Sequence, residues 1–365
     1  MSESHSTKSS AEPAATSNAE TTPASNAKST EASNARSTHS LEDRQFGPVT
    51  VLFGEKQGKY PQGNSLLIRG SRETVLIDPS LGVIPRRHSL PPIDRLLFSH
   101  CHEDHISGAY LFPEIPWHFH ELDLPGIQSL EAMMAIYGFP EPTHSYFSKQ
   151  VVEQFHFKAR PDAEGFRDND VFDLGGVRVH VIHAPGHTRG HCCFLIESGL
   201  NPDSSPDWNR DSNPDSNPDW DRDSGPDERF LFLGDIDLSS FGPYYGDAWA
   251  DLEDFERTLE RVRGIEARWY GTFHHIGVLD REAFLDRLAR FVSAIGRREQ
   301  GLLSYLAEAH DLNEIAAQNF VYSRGKIPTS DAAERRSMIQ HVERLVRSGT
   351  LRETSPGRWI RTKAA

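Results

Sequence analysis

Between Ser99 and His105 the chain reads Ser-His-Cys-His-Glu-Asp-His, and this stretch constrains the rest. It follows Ile93-Asp94-Arg95-Leu96-Leu97-Phe98, whose apolar end predicts a short buried strand delivering His100 at its carboxyl end. Alternation then sends His100 and His102 to one side, while Asp104 and His105 come round the turn toward a second point. Neutral imidazole and carboxylate suit zinc, iron or manganese. A polar surface loop has no reason to gather four such side chains in six positions. The stretch predicts a metal site.

The 365 residues allow two or three domains with ample core. The formal charge of −14 is concentrated: residues 201–228 hold nine Asp/Glu against two Arg, a net −7, half the total. From Arg297 onward twelve Lys/Arg stand against eight Asp/Glu, a net +4. The average charge therefore says little about what the folded part binds. Three cysteines, Cys101, Cys192 and Cys193, fit no disulfide framework and point to a reducing compartment. No 18-residue apolar run argues for a membrane span, and the N-terminus has neither a secretory h-region nor an acid-poor transit composition. A cytoplasmic protein is expected.

Residues 1–45 are mostly Ser, Ala, Thr and Asn with an eight-residue Ser-Asn-Ala repeat, the composition of a disordered tail. Globular pattern begins at Phe46. Strands are expected at 49–53, 65–68 and 74–77, the third ending in Asp78, a turn cap and an outer partner of the metal loop. Pro116–Phe119 predicts a strand, Leu122–Tyr137 a helix, and 151–157, 171–174 and 177–182 further strands. His118 and His120 are taken as structural.

The strand at 177–182 ends in His183-Ala184-Pro185-Gly186-His187-Thr188-Arg189-Gly190-His191, a tight turn that can bring His187 close to other backbone. After Cys192–Glu197, residues 201–228 hold a tandem twelve-residue repeat rich in Pro, Asp and Ser, expected as an extruded surface loop. A calcium repeat would need a Gly at its sharp turn, which is missing. Strand Phe230–Leu233 leads into Gly234-Asp235, and the strand at 268–273 ends in His274-His275. Helices are expected at 252–262 and 281–295. Beyond Arg297, three short helices (300–309, 312–320, 332–348) and a hairpin around Ser355-Pro356-Gly357 describe a winged helix.

Together these residues resemble the metallo-β-lactamase fold superfamily, from roughly Phe46 to Arg297. The resemblance implies an α+β, αββα sandwich, residues 46–296, followed by a small winged-helix domain at 297–365. The pattern H-x-H-x-D-H matches His100, His102, Asp104 and His105; His187 matches the later single histidine, Asp235 the bridging carboxylate and His275 the last histidine. His274 stays open as the alternative to His275. The implied cofactor is two divalent ions, zinc first, with iron or manganese as alternatives. His100, His102 and His187 would hold one, Asp104, His105 and His275 the other, and Asp235 would bridge. Cys101, alternating away, is expected to pack.

Such a pair of cations can lower the pKa of a bridging water and polarise a carbonyl or phosphoryl oxygen. The implied activity is attack by that bridging hydroxide on a small-molecule thioester or other ester-like bond, with Asp104 a ligand before it is a base. Tyr244 and Tyr245, following Asp235, are candidate oxyanion donors. Asp235 stands where some β-lactamases of the fold use Cys, and His102 where flavodiiron proteins use Glu. The P-G-H-T-x-G-H stretch is similar to glyoxalase II-type thioesterases, which end in a different helical domain. The winged helix resembles that of β-lactamase-like endoribonucleases, so RNA cleavage is the alternative. The arginines of its third helix are the expected nucleic-acid face, although interleaved glutamates favour a wall beside the active-site mouth.

Overall fold

Alternation within single strands decides the architecture. The computed structural model describes residues 42–199, 229–322 and 329–362. Seven strands form one sheet in sequential order: β1 (Arg44–Phe46), β2 (Val49–Leu52), β3 (Ser65–Arg69), β4 (Thr74–Ile77), β5 (Arg95–Leu97), β6 (Trp117–His120) and β7 (Glu164–Phe166). Six form the second: β8 (Val171–Asp173), β9 (Arg178–His183), β10 (Cys192–Glu197), β11 (Arg229–Phe232), β12 (Trp269–Gly271) and β13 (Val278–Leu279). Val49, Val51, Leu66, Ile68, Val75 and Ile77 meet Val179, Val181, Cys192, Phe194, Phe230 and Phe232 in a core between the sheets. Their neighbours one position along point outward.

On the outer face of the first sheet, Leu67, Leu76 and Leu96 bury against Ile127, Met133, Met134, Phe147 and Val151. These come from α3 (Leu124–Ile127), α4 (Leu130–Tyr137) and α5 (Thr143–Glu153). Single turns at α1 (Glu55–Gly58) and α2 (Glu103–Ile106) precede them. On the second sheet, Cys193, Leu195 and Leu231 bury against Phe255 and Leu259 of α6 (Leu252–Arg263) and Phe284, Leu288 and Phe291 of α7 (Arg281–Tyr305). The layers run helix, sheet, sheet, helix.

Strands β9, β11 and β12 point the same way, as do β4 and β5. Their carboxyl ends gather at one edge, where Cys192 N–H donates to the Ser99 carbonyl at 2.7 Å and ties the sheets together.

Several expectations need correction. The predicted helix 122–137 is two helices, because the Ser129 hydroxyl accepts from Ala132 N–H and starts α4 afresh. The predicted strand at 151–157 is instead the last turn of α5, ending at Glu153, and the irregular stretch after it; Phe147 and Val151 lie one helical turn apart and are buried, whereas Val152 is exposed. Arg44 and Gln45 belong to β1, so the fold starts before Phe46. The rest of the N-terminal segment and the acidic insertion lie outside the described residues. So does the stretch between 322 and 329.

The boundary placed at 297 falls inside α7, which runs unbroken for 25 residues. Its far end packs with α8 (Leu312–Ala316) and α9 (Ser330–Arg347) around Leu302, Leu306, Ile315, Met338, Val342 and Leu345. A small sheet covers them: β14 (His310–Asp311), β15 (Leu351–Ser355) and β16 (Arg358–Arg361), in the order β14-β16-β15. Among the described residues no helix is long and apolar enough to cross a membrane.

Candidate metal centre

A neutral imidazole has one N–H and one lone pair, so fixing the proton on one nitrogen aims the lone pair of the other. His105 Nδ1 lies 2.8 Å from Asp78 Oδ2, which leaves Nε2 bare and 3.0 Å from Asp235 Oδ1. His187 Nδ1 lies 3.1 Å from the Tyr244 carbonyl, leaving Nε2 bare and 3.0 Å from His102 Nδ1. His274 Nδ1 lies 2.7 Å from the Gly58 carbonyl, and its Nε2 faces Asp104 Oδ2 at 3.0 Å. His100 Nδ1 lies 3.1 Å from Ser99 Oγ, whose own proton goes to Asp78 Oδ2 at 2.6 Å. His100 Nε2 is buried with no hydrogen-bond partner, and buried Asp104 Oδ2 faces only the His274 ring. Acceptors turned on one another in a dry site repel unless a cation or proton lies between them.

The converging atoms fall into two groups, His100, His102, His187 and Asp235, and Asp104, His105 and His274, each within 4.8 Å. Asp235 serves both, with Oδ2 3.2 Å from His187 Nε2 and Oδ1 3.7 Å from His274 Nε2. His191 lies close by but is spent otherwise: its Nδ1 is 3.0 Å from the Ala184 carbonyl and its Nε2 accepts from Asp235 N–H. It holds the carboxylate in place.

The electrostatics follow from crowding. Burial, then the neighbouring rings His105, His102 and His187, push His100 well below its ordinary value. Burial opposes charge on His274 too, but Asp235 and Asp104 outweigh it and raise the ring to about 9. Burial likewise resists ionisation of Asp235, yet His274 and His105 hold it well below the usual carboxylate range. Protons on His105 and His274 thus stand where a divalent cation would put its charge.

Residues 59–199 match the sequence profile of the Metallo-beta-lactamase superfamily. The fold resembles a metallo-beta-lactamase family protein of Thermus thermophilus, with TM-score 0.61 and 20% identity, over 87% of this chain and 99% of that one. Residues 59–199 thus carry the mark of a metallo-β-lactamase superfamily domain. An acyl-coenzyme A thioesterase of Homo sapiens, MBLAC2, is 28% identical over 174 residues, 39% of this chain and 58% of that protein. An atrochrysone carboxyl ACP thioesterase of Aspergillus chevalieri is 28% identical over 161 residues, 41% of each. The chain thus spans 60% or less of the length of the curated relatives it matches.

Six of the seven expected ligand residues converge, and His274 rather than His275 stands with them. His275 adopts φ 62°, which turns its half-exposed ring away; its Nε2 is 3.9 Å from Asp237. Asp104 stands among the converging acceptors. Tyr244 borders the site through its carbonyl, but its hydroxyl donates to Asp247 Oδ1 at 2.8 Å. Tyr245 faces the other way: its hydroxyl meets His341 Nε2 at 2.9 Å and accepts from Arg298 at 3.0 Å. It packs against the C-terminal segment, with its hydroxyl engaged away from the converging atoms.

Sequence reading missed three buried acids. Asp123 accepts from Cys101 N–H, Thr188 Oγ and Gly190 N–H, locking the His100 loop to the His187 loop. Glu103, between two converging residues, accepts from Tyr60 and Tyr137 hydroxyls; burial, then Asp104, raises it to about 7. Asp247 faces His102. Only Glu103 had a signal, its place inside the H-x-H-x-D-H stretch. Cys101 is buried among apolar side chains, as its alternation requires.

Proposed function

We propose that the chain is a dinuclear metallohydrolase of small acyl compounds, with thioesters as the first substrate class. One observation supports it above all: seven acceptor atoms, their imidazole protons fixed outward, form two adjoining groups, and Asp235 of the first also faces His105 and His274 of the second. Two divalent cations there would supply an ionised water near neutral pH and a Lewis acid for the acyl oxygen. The chain's own residues do the rest. Asp78, Ser99 and the Tyr244 and Gly58 carbonyls fix the tautomers of His105, His100, His187 and His274. His191 fixes the bridging carboxylate through its backbone. The thioester preference draws on the two thioesterase relatives.

The C-terminal elements follow the winged-helix order of helix, strand, helix, helix and hairpin, and in this reading they wall the site. Tyr322 packs on Phe241 and Tyr244 at 5.4 and 6.0 Å, and Arg298 holds the Phe241 and Pro243 carbonyls, each at 2.7 Å. Three buried free thiols suit the reducing cytoplasm.

Elemental analysis of purified protein, with turnover of a panel of acyl-coenzyme A, lactone, β-lactam and RNA substrates, tests the proposal. About two metals per chain and hydrolysis of at least one thioester are expected. Fewer than one metal after reconstitution with zinc, iron or manganese would sink it, as would turnover of RNA alone.

A further inference from the structure

His102 is the one converging histidine whose outward partner is neither a backbone carbonyl nor a residue of the Asp78–Ser99 pair. Its Nδ1 points inward, 3.0 Å from His187 Nε2. Its Nε2 points outward, 3.2 Å from Asp247 Oδ2. Both outward atoms are buried, and neither has an aligned hydrogen-bond partner elsewhere. Asp247 itself is 2% exposed, and its other oxygen is already engaged by the Tyr244 hydroxyl at 2.8 Å. A buried carboxylate oxygen and a buried imidazole nitrogen facing each other at this distance complete one another when the ring proton sits on Nε2. That tautomer bares Nδ1 toward the cluster.

Asp247 lies on a segment that the C-terminal elements grip. Gln340 of α9 donates to the Tyr245 carbonyl at 3.0 Å and accepts from Leu252 N–H at 2.6 Å. Gly246 is so close to α9 that a Cβ there would stand 2.6 Å from that of Ala333. Arg298 of α7 holds the segment from its other end.

We propose that Asp247 is the positioning residue of His102, selecting the tautomer that offers Nδ1 to a metal, and that the C-terminal segment holds Asp247 there. The inference rests on the dinuclear reading above. It makes the affinity of the histidine-rich group depend on Arg298 and Gln340, which lie 198 and 240 positions after His100. Removing an outer partner of a ligating histidine typically costs about 10–100-fold in metal affinity.

The test uses the full chain. Zinc affinity is measured against a chromophoric chelator, and the visible spectrum is recorded during stepwise cobalt(II) addition, for wild type, Asp247→Ala, Asp247→Asn and Gln340→Ala. In Asp247→Ala one of the two zinc sites weakens about 10–100-fold and its cobalt bands shift, while the other stays as in wild type. Asp247→Asn, which keeps the shape and an acceptor oxygen, recovers part of the loss, and Gln340→Ala shows a smaller shift at the same site. Metal-free melting separates this from unfolding: a variant losing affinity at one site with unaltered melting has lost positioning. If Asp247→Ala does not fold, Asp247→Asn decides alone, and wild-type affinity and spectrum in it overturn the proposal. Two zinc ions held as tightly by Asp247→Ala as by wild type overturn it directly. A wild type that takes up no metal refutes the dinuclear reading instead.

Discussion

Each converging imidazole is oriented by what its second nitrogen touches, and this gives predictions for single residues. His274 is aimed by the Gly58 carbonyl, whereas His275 stands half-exposed beside Asp237. His274→Ala should drop metal content from about two per chain toward one and abolish most hydrolysis, since metal catalysis of this kind needs both ions. His275→Ala should leave stoichiometry unchanged; equal losses in the two variants would contradict the assignment. The pair also shows where sequence stops. Alternation beyond β12 cannot say which of two adjacent histidines turns inward, because the positive φ at His275 is set by the turn that returns Gly277 to Thr272. The four residues of the His100–His105 stretch were legible because their spacing alone sets their faces. Asp247 and Asp123 were not, since ordinary acids acquire meaning only from what folding brings beside them.

Protons and metal compete for the same lone pairs, and the direction can be worked out. His274 is raised from 6.5 to about 9 in the metal-free fold, so its stabilising contribution is full below pH 6.5 and is lost as pH rises through 9. Asp104 and Asp235 are lowered from 3.8, so theirs is present above that value and fades as pH falls through their folded values. Metal-free protein should therefore melt at progressively lower temperature from pH 6.5 to 9. Zinc-loaded protein should not, because the ion replaces the proton. Melting curves with and without chelator check this; parallel pH profiles would show that His274 carries no such proton.

At the scale of elements, the His187 turn depends on Gly186. Its φ is 128°, and a Cβ there would fall 2.3 Å from Phe255 Cα on α6. Gly186→Ala must displace either the turn or the helix. Weaker binding at the histidine-rich group, together with a lower melting temperature, is expected; metal titration and calorimetry read both, and wild-type values in each would mean the turn yields freely. The strands themselves were readable, since Phe194, Phe230 and Phe232 alternate with Leu195 and Leu231 along two buried runs. Helix α5 was not, because Val151-Val152 looks like strand until one knows that only Val151 is buried. Nor was the unbroken α7, since Gly296 has open space around it and weakens the helix without ending it. The acidic insertion joins strands already paired at Glu197 and Arg229. Replacing residues 201–228 with a short turn should keep hydrolysis within about twofold and melting nearly unchanged; a collapse of either would assign the insertion a role that its composition does not suggest.

For the whole molecule the deciding question is where the positive charge of the C-terminal segment goes. A nuclease of single-stranded RNA must hold several phosphates, and its affinity then falls steeply with salt, with a slope of about −0.7 per phosphate. The arginines of α9 are turned to other work. Arg336 donates to the Tyr137 carbonyl at 2.7 Å and to that of Gly138, docking α9 onto the end of α4. Arg344 pairs with Glu256 and Glu299, Arg347 with Glu253, and Arg335 bonds Asn313. The face expected to meet nucleic acid is thus largely neutralised within the chain and joins the C-terminal segment to the elements carrying the candidate metal centre. Binding of single-stranded RNA should be weak even at low salt, with a slope equivalent to fewer than about three phosphates. Arg344→Glu should change that binding little but lower stability, by on the order of 1 kcal/mol, through loss of its two glutamate partners. Fluorescence anisotropy over a salt series, with melting of the same variant, separates the outcomes. Tight RNA binding that rises steeply as salt falls and vanishes in Arg344→Glu while the variant melts as wild type would mean that these arginines serve a polyanion, and that the small-molecule reading is wrong.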